Sequence, residues 1–167
     1  ISQAAASRST IQRDKMVVSE ILQDHGHHAI GDILCQSGII DKTQLKQALK
    51  EQKRSPKKLL GSVLIDRGFA DEYMIAQAIA CQLDLPYITP GAAMIEKKAA
   101  DLVDAELCIW HVCVPILANS RRVVVAMANP LDTIAVDKLR QRCRCEISPV
   151  LATPTDIMNT IEDYYGL

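Results

Sequence analysis

The sequence predicts an α+β fold: an N-terminal helical bundle of two repeated helical hairpins, followed by a small α/β subdomain with a three-stranded or slightly larger sheet. Three observations carry that expectation. Of the 167 residues 49% are apolar but only 4% aromatic, so the core must be built from Leu, Ile, Val, Ala and Met, which favours packed helices. A gapless internal repeat doubles one helical unit between Ala29 and Gln82. Beyond Leu83 the pattern changes, and Leu85-Pro86-Tyr87-Ile88-Thr89-Pro90-Gly91 reads as an extended, turn-rich boundary.

In chain order, residues 1–15 are small and polar and predict a disordered lead, 16–83 the helical repeat subdomain, and 84–167 the α/β subdomain. Val17, Ile21 and Leu22 give Met16 to Gln23 a helical spacing that should end before Asp24-His25-Gly26. Laying Ala29–Gln52 over Leu59–Gln82 makes seven of 24 positions identical: Gly31/Gly61, Leu34/Leu64, Gly38/Gly68, Asp41/Asp71, Gln47/Gln77, Ala48/Ala78 and Gln52/Gln82. Chance gives about one or two. Ile30/Leu60, Ile33/Val63, Ile39/Phe69, Leu45/Ile75 and Leu49/Ile79 are conservative apolar exchanges.

Each copy reads as a helical hairpin. A short helix ends at a glycine suited to the left-handed region (Gly38, Gly68), two apolar residues turn the chain, and an aspartate (Asp41, Asp71) caps the next helix. Asp41 with Gln44 has the spacing of a capping box. Leu45, Ala48 and Leu49, with Ile75, Ala78 and Ile79, mark the faces the two hairpins bury against each other, across a linker from Lys53 to Lys58.

The second half predicts short helices over Lys97–Leu102 and Ala105–Ile109, then strands over Val112–Leu117 and Arg122–Met127 joined as a hairpin through Ala118–Arg121. Asp132 caps a helix through Arg142, Glu146–Leu151 is a third strand, and Thr153-Pro154 opens a last helix that ends before Gly166.

Function classes can be excluded on the same residues. A net charge of −1 with interspersed signs lacks the broad basic face of a nucleic-acid binder; only Lys53 to Lys58 is locally basic. No run approaches the roughly 20 apolar residues of a membrane span, so a soluble chain without membrane insertion is expected. Cys35, Cys81, Cys108, Cys113, Cys143 and Cys145 occur without a signal peptide and read as buried thiols of a reducing compartment. No glycine precedes a lysine, so there is no P-loop, and the glycines lack dinucleotide-binding spacing. His25, His27 and His28 beside Asp24 have ligand chemistry but read more simply as a solvated turn, and Cys143-x-Cys145 predicts alternation across a strand. No catalytic residue and no metal site is expected. The paired glycines Gly31 and Gly61 either let a ligand approach the backbone, with two copies suiting a two-fold symmetric ligand, or only permit tight helix packing.

The pattern small-apolar-Gly-x-x-Leu-x-x-x-Gly, ending in Gln52 and Gln82, resembles the N-terminal domain of type II secretion and type IV pilus assembly ATPases, with its cyclic di-GMP-binding type of repeat. Leu83–Pro86, the run Val123-Val124-Val125-Ala126-Met127-Ala128-Asn129-Pro130-Leu131-Asp132 and the terminal Ile161-Glu162-Asp163-Tyr164-Tyr165-Gly166 extend the likeness over Ile30 to Gly166. The resemblance implies a cytoplasmic, non-catalytic docking or regulatory domain, peripheral to the inner membrane through apparatus proteins and placed ahead of an ATPase motor or another effector. In some members the paired motifs bind cyclic di-GMP, and the matching positions here are Gly31, Leu34, Gly38, Leu45, Leu49 and Gln52, then Gly61, Leu64, Gly68, Ile75, Ile79 and Gln82. Messenger-binding members begin each motif with Arg-Leu-Gly, whereas this chain has Ala29-Ile30-Gly31 and Leu59-Leu60-Gly61. Each lost guanidinium contact to guanine is worth about 1–3 kcal/mol. Lys57, Lys58 and His28 are the residues able to supply phosphate charge instead.

Overall fold

The structure, a computed structural model, describes residues 29–166, so the expected lead, the helix over Met16 to Gln23 and the histidine cluster lie outside the described residues. The chain divides into two compact units, Ile1–Asp84 and Leu85–Leu167.

The described part of the first unit is two helical hairpins: α1 (Ile30–Gln36) with α2 (Lys42–Arg54), and α3 (Leu60–Asp66) with α4 (Glu72–Gln82). Both short helices end in the same pair of backbone hydrogen bonds. Gly38 and Gly68 adopt φ of +72° and +68°; Gly38 N–H donates to Cys35 O and Ile39 N–H to Leu34 O, matched by Gly68 to Ile65 O and Phe69 to Leu64 O, which satisfies carbonyls a helix end would leave unpaired. Asp41 then accepts from the Thr43 and Gln44 N–H groups while Gln44 Oε1 accepts from Asp41 N–H, completing the capping box. The second copy keeps only half of it, because Asp71 accepts from Met74 N–H and a methionine cannot reach back as an acceptor. Helix α2 continues two residues into the expected linker, to Arg54, which shortens the connection between the hairpins to residues 55–59.

Packing crosses between the hairpins. Helix α1 lies on α4 and α3 lies on α2, so each short helix serves the long helix of the other copy. Leu34 and Leu64 are fully buried at the centre, with Ile33, Ile40, Ala48, Val63, Ala70, Ile75 and Ala78 around them. Burial of each such leucine stabilises by roughly 1.5–3 kcal/mol. The paired fold therefore supplies the core that one 24-residue copy lacks.

In the second unit a 3₁₀ turn (Ala92–Met94), absent from the sequence-based expectation, leads to α5 (Lys97–Ala100) and α6 (Ala105–His111). Strands β1 (Cys113–Ala118) and β2 (Arg122–Met127) follow, then α7 (Thr133–Cys143), β3 (Glu146–Leu151) and α8 (Pro154–Tyr165). The sheet order is β1-β2-β3, antiparallel between β1 and β2 and parallel between β2 and β3, with α7 as the crossover that a parallel pair requires. Asn119 Oδ1 holds the hairpin turn by accepting from the Arg121 and Arg122 N–H groups at 2.9 Å. The extended boundary segment adds a single parallel bridge, Tyr87 to Leu151, along the β3 edge. On the opposite edge Glu96 covers β1, donating its N–H to Ile116 O and accepting from Ala118 N–H. Val114, Val123, Val125, Met127, Leu139, Ile157 and Ile161 form a fully buried aliphatic core between sheet and helices.

Two expectations are corrected here. The first strand begins at Cys113, because Val112 takes a left-handed conformation, φ 45°, to end α6, which runs on to His111. Cys143 and Cys145 do not alternate on a strand: Cys143 is the buried last residue of α7, Arg144 reverses the chain at φ 52°, and Cys145 precedes β3.

Candidate functional site

The motif positions of the repeat divide into those that build the hairpins and those that face outward. Gly31 and Gly61 stand in the first turns of α1 and α3, where a Cβ would lie 2.7 Å from Leu45 Cδ1 and 2.8 Å from Ile75 Cγ2. The space above each glycine is filled by the next helix of its own hairpin, so close helix packing is the use the structure makes of them. Leu34, Leu64 and Ile75 are core residues, and Leu45 and Ile79 pack half-buried against that core. Gly38 and Gly68 form the left-handed turns with open space beside them. Leu49 is 40% exposed, Gln52 Nε2 donates to Lys58 O at 3.1 Å, and Gln82 is half-buried.

At the positions where the resembling motif carries arginine, Ala29 and Leu59 are the exposed N-cap residues of α1 and α3, and neither offers a side-chain cap. Of the substitute charges, Lys58 is tied to Asp66 at 2.7 Å and Lys57 is exposed, while His28 lies outside the described residues. The pairing also raises the Lys58 ammonium above its ordinary value through the hydrogen bond to Asp66. A shallow cleft of ≈ 140 Å³ between α2 and α3 collects Gln47, Lys50, Glu51, Arg54 and Arg67, with Arg67 paired to Glu51. Thirty residues on, the repeat places Gln77, Ala80, Cys81 and Asp84 opposite the α2 members, and Ser37 answers to Arg67. The backbone repeats but the charge does not, so the two copies are not chemically equivalent.

A second cleft, of ≈ 480 Å³, opens in the α/β unit between α6 and α7 and is lined by Asp104, Leu107, Trp110, His111, Lys138 and Arg142, among others. Its floor is a connected set of polar groups. Lys138 Nζ lies 3.2 Å from His111 Nε2, and an ammonium has only donors, so Nε2 accepts and the ring proton sits on Nδ1. Nδ1 then donates to Asp132 Oδ2 at 2.9 Å, while Asp132 Oδ1 accepts from Ala135 N–H at 3.0 Å to cap α7. The Ala135 N–H, together with the His111 hydrogen bond, holds the Asp132 carboxyl below its ordinary value. Arg142 pairs with Asp104, the N-cap of α6, so the two helices are clamped at both ends of the cleft.

The cleft's own lining is mostly polar and charged, with Leu107 and Trp110 its apolar members. Trp110 is 76% exposed, Leu131 65% and Ile134 63%, the last two flanking Asp132 in sequence and the first adjoining His111. Sequence reasoning quoted Leu131 only within the family-like run and Asp132 only as a helix cap, and singled out neither Trp110, His111 nor Ile134. The signal available was the chain's single tryptophan at the polar end of a short helix, a side chain that interfaces use as an anchor. Among the described residues no group of three or more His, Cys, Asp or Glu is arranged to hold a metal ion, and no helix is long and apolar enough to cross a membrane.

The comparisons with known proteins fall on these same elements. A protein-family profile, the MshEN domain, matches residues 83–167, the α/β unit with its cleft. A solved structure of MshE with cdg superposes with a TM-score of 0.71 at 27% identity, covering 83% of this chain and 99% of that one. That span exceeds the α/β unit alone and so takes in repeat hairpins as well. Two crystal forms of the N-terminal domain of XpsE, each 21% identical, superpose with TM-scores of 0.64 and 0.53 and share the fold. They cover 82% and 86% of this chain and 94% and 99% of their own. No curated protein sequence matches the chain.

Proposed function

Because the chain belongs to the MshEN domain family, the N-terminal domain type of type II secretion and type IV pilus assembly ATPases, we propose that it is a non-catalytic docking and regulatory domain of such an ATPase. In this reading it works in the cytoplasm, peripheral to the inner membrane, where it engages apparatus proteins and passes that contact to a motor domain downstream. The supporting observation lies inside the family-matched span: Trp110, 76% exposed, lines a cleft with the hydrogen-bonded His111 and the Arg142–Asp104 pair. An exposed aromatic anchor beside paired charged groups is the composition of a protein interface rather than of a reaction centre. The test is titration of the chain with the purified cytoplasmic domains of the inner-membrane apparatus proteins of its own organism. The reading expects one of them to bind, and Trp110→Glu to weaken that binding by about tenfold or more. Absence of binding to every component would remove it.

A second reading, a cyclic di-GMP receptor, is favoured by one observation, the similarity to a structure of MshE with cdg. The doubled hairpins retain the glycine and leucine frame on which the resemblance rests. Against it stand Ala29 and Leu59 in place of guanidinium groups and the charge asymmetry of the two copies.

A further inference from the structure

We propose that Lys138 is an acylation site: its amine attacks a small acyl phosphate in the cleft of the second unit, His111 takes the proton, and Asp132 positions His111. Lys138 is exposed on α7 and lines the cleft, so its amine is open to small molecules from solvent. Its Nζ lies 3.2 Å from His111 Nε2, within the roughly 2.6–3.2 Å at which a side chain can receive a proton. The other side of the ring is fixed, because Nδ1 donates to Asp132 Oδ2 at 2.9 Å while Asp132 Oδ1 accepts from the Ala135 N–H at 3.0 Å. With its side chain only 13% exposed, His111 is held by the fold in the orientation that aims Nε2 at the lysine.

Other lysines have the opposite neighbourhood. Lys58, Lys97 and Lys98 each meet a carboxylate, Asp66 at 2.7 Å, Asp101 at 3.0 Å and Glu96 at 3.0 Å. A carboxylate keeps the proton on the ammonium, and the hydrogen bonds to Asp66 and Asp101 raise Lys58 and Lys97 above their ordinary values. A neutral imidazole exerts no such charge and can accept the proton that acylation releases.

The reaction starts from the free amine, about one lysine in a thousand near neutral pH for an ordinary value of about 10.4. That amine can keep one N–H on Nε2 and leave its lone pair for the acyl carbonyl. Attack forms the N–C bond and places positive charge on nitrogen. The nitrogen's proton passes to His111 Nε2, and Asp132 stabilises the imidazolium as it forms. The carbonyl re-forms as the C–O bond to phosphate breaks, phosphate leaves with that electron pair, and His111 gives its proton to solvent. One amine and one acyl phosphate thus become one amide and one hydrogen phosphate. Arg142, which lines the same cleft and pairs through Nη2 with Asp104, adds positive charge to the wall that a phosphate approaches.

Acylation removes the Lys138 charge from the cleft that Trp110 lines and leaves an amide N–H facing Nε2. The site goes beyond the docking reading and stands without it. The experiment incubates the folded full chain with acetyl phosphate and follows each lysine by tryptic peptide mass. Acetylation blocks cleavage at Lys138, so its product is the peptide Val123–Arg140 with one added acetyl group. Lys138 is expected to react about tenfold faster than Lys58 and Lys97 in the same sample. His111→Gln retains a hydrogen-bond acceptor without a base and is expected to bring Lys138 down to the rate of those two lysines. Asp132→Asn, which retains the helix cap, is expected to lower the Lys138 rate several-fold and serves alone if His111→Gln does not fold. Lys97, in the same unit, reports any folding defect, since unfolding would move both rates together. A Lys138 rate no higher than those of Lys58 and Lys97, or one that these substitutions leave unchanged, would overturn the proposal.

Discussion

Gly31 lies against Leu45 so closely that a Cβ on residue 31 would stand 2.7 Å from Leu45 Cδ1. The same relationship recurs thirty residues on, where Gly61 meets Ile75 Cγ2 at 2.8 Å. What differs is the neighbour's freedom to move. Leu45 is half-buried and presents the far end of a flexible side chain, whereas Ile75 is buried and β-branched, with its Cγ2 fixed at the first branch. Gly31→Ala is therefore expected to leave the urea midpoint nearly unchanged, as Leu45 swings outward. Gly61→Ala is expected to cost about 1–3 kcal/mol by overpacking. Equal effects at both sites would mean that the repeat, and not the local neighbour, sets the cost.

Gly38 and Gly68 call for a different substitution pattern. Both sit at positive φ with no neighbour near a new Cβ, so strain alone opposes a side chain. Alanine at either position is expected to cost about 1 kcal/mol, and asparagine distinctly less, because its side chain tolerates the left-handed region. Thermal unfolding of Gly38→Ala beside Gly38→Asn checks this.

The doubled role of Asp132 gives a pH prediction. Its carboxylate accepts from Ala135 N–H and from His111, which sets its folded pKa below the unfolded value of about 3.9. That stability is present above the unfolded value and is lost as pH falls through the folded one. Asp132→Asn keeps a competent helix cap but has no titrating group, so its stability should decline less steeply than the wild type's between roughly pH 5 and pH 2. Asp132→Ala loses the cap as well and is expected to cost about 1 kcal/mol at neutral pH. Parallel acid titrations of the three proteins would contradict the assignment if their slopes coincided.

The capping box of Asp41 with Gln44, the glycine stops at residues 38 and 68, and the start of α8 at Thr153-Pro154 were legible because each is local chemistry, decided within four residues. The strands were legible from composition, with β1 displaced by one residue because a valine, unfavourable at positive φ, ends α6 there. Cys143-x-Cys145 misled because period-two spacing says nothing about a helix that stops between the two positions. The cleft was not legible at all. His111 and Asp132 meet across 21 residues and Asp104 and Arg142 across 38, pairings fixed only when α7 crosses over the sheet. The repeat was read in full, yet its likeness in sequence concealed that Lys50, Arg54 and Arg67 have no charged counterparts of the same sign in the other copy.

In the proposed docking reading the doubled hairpins persist as a scaffold and do not bind the messenger. Isothermal titration of cyclic di-GMP into the unmodified protein and into Ala29→Arg/Leu59→Arg tests it most directly. No measurable heat of binding is expected in the unmodified chain, and restored binding in the double variant, since two guanidinium contacts at about 1–3 kcal/mol each correspond to a few powers of ten in affinity. Micromolar binding by the unmodified chain would contradict it and make the protein a second-messenger receptor.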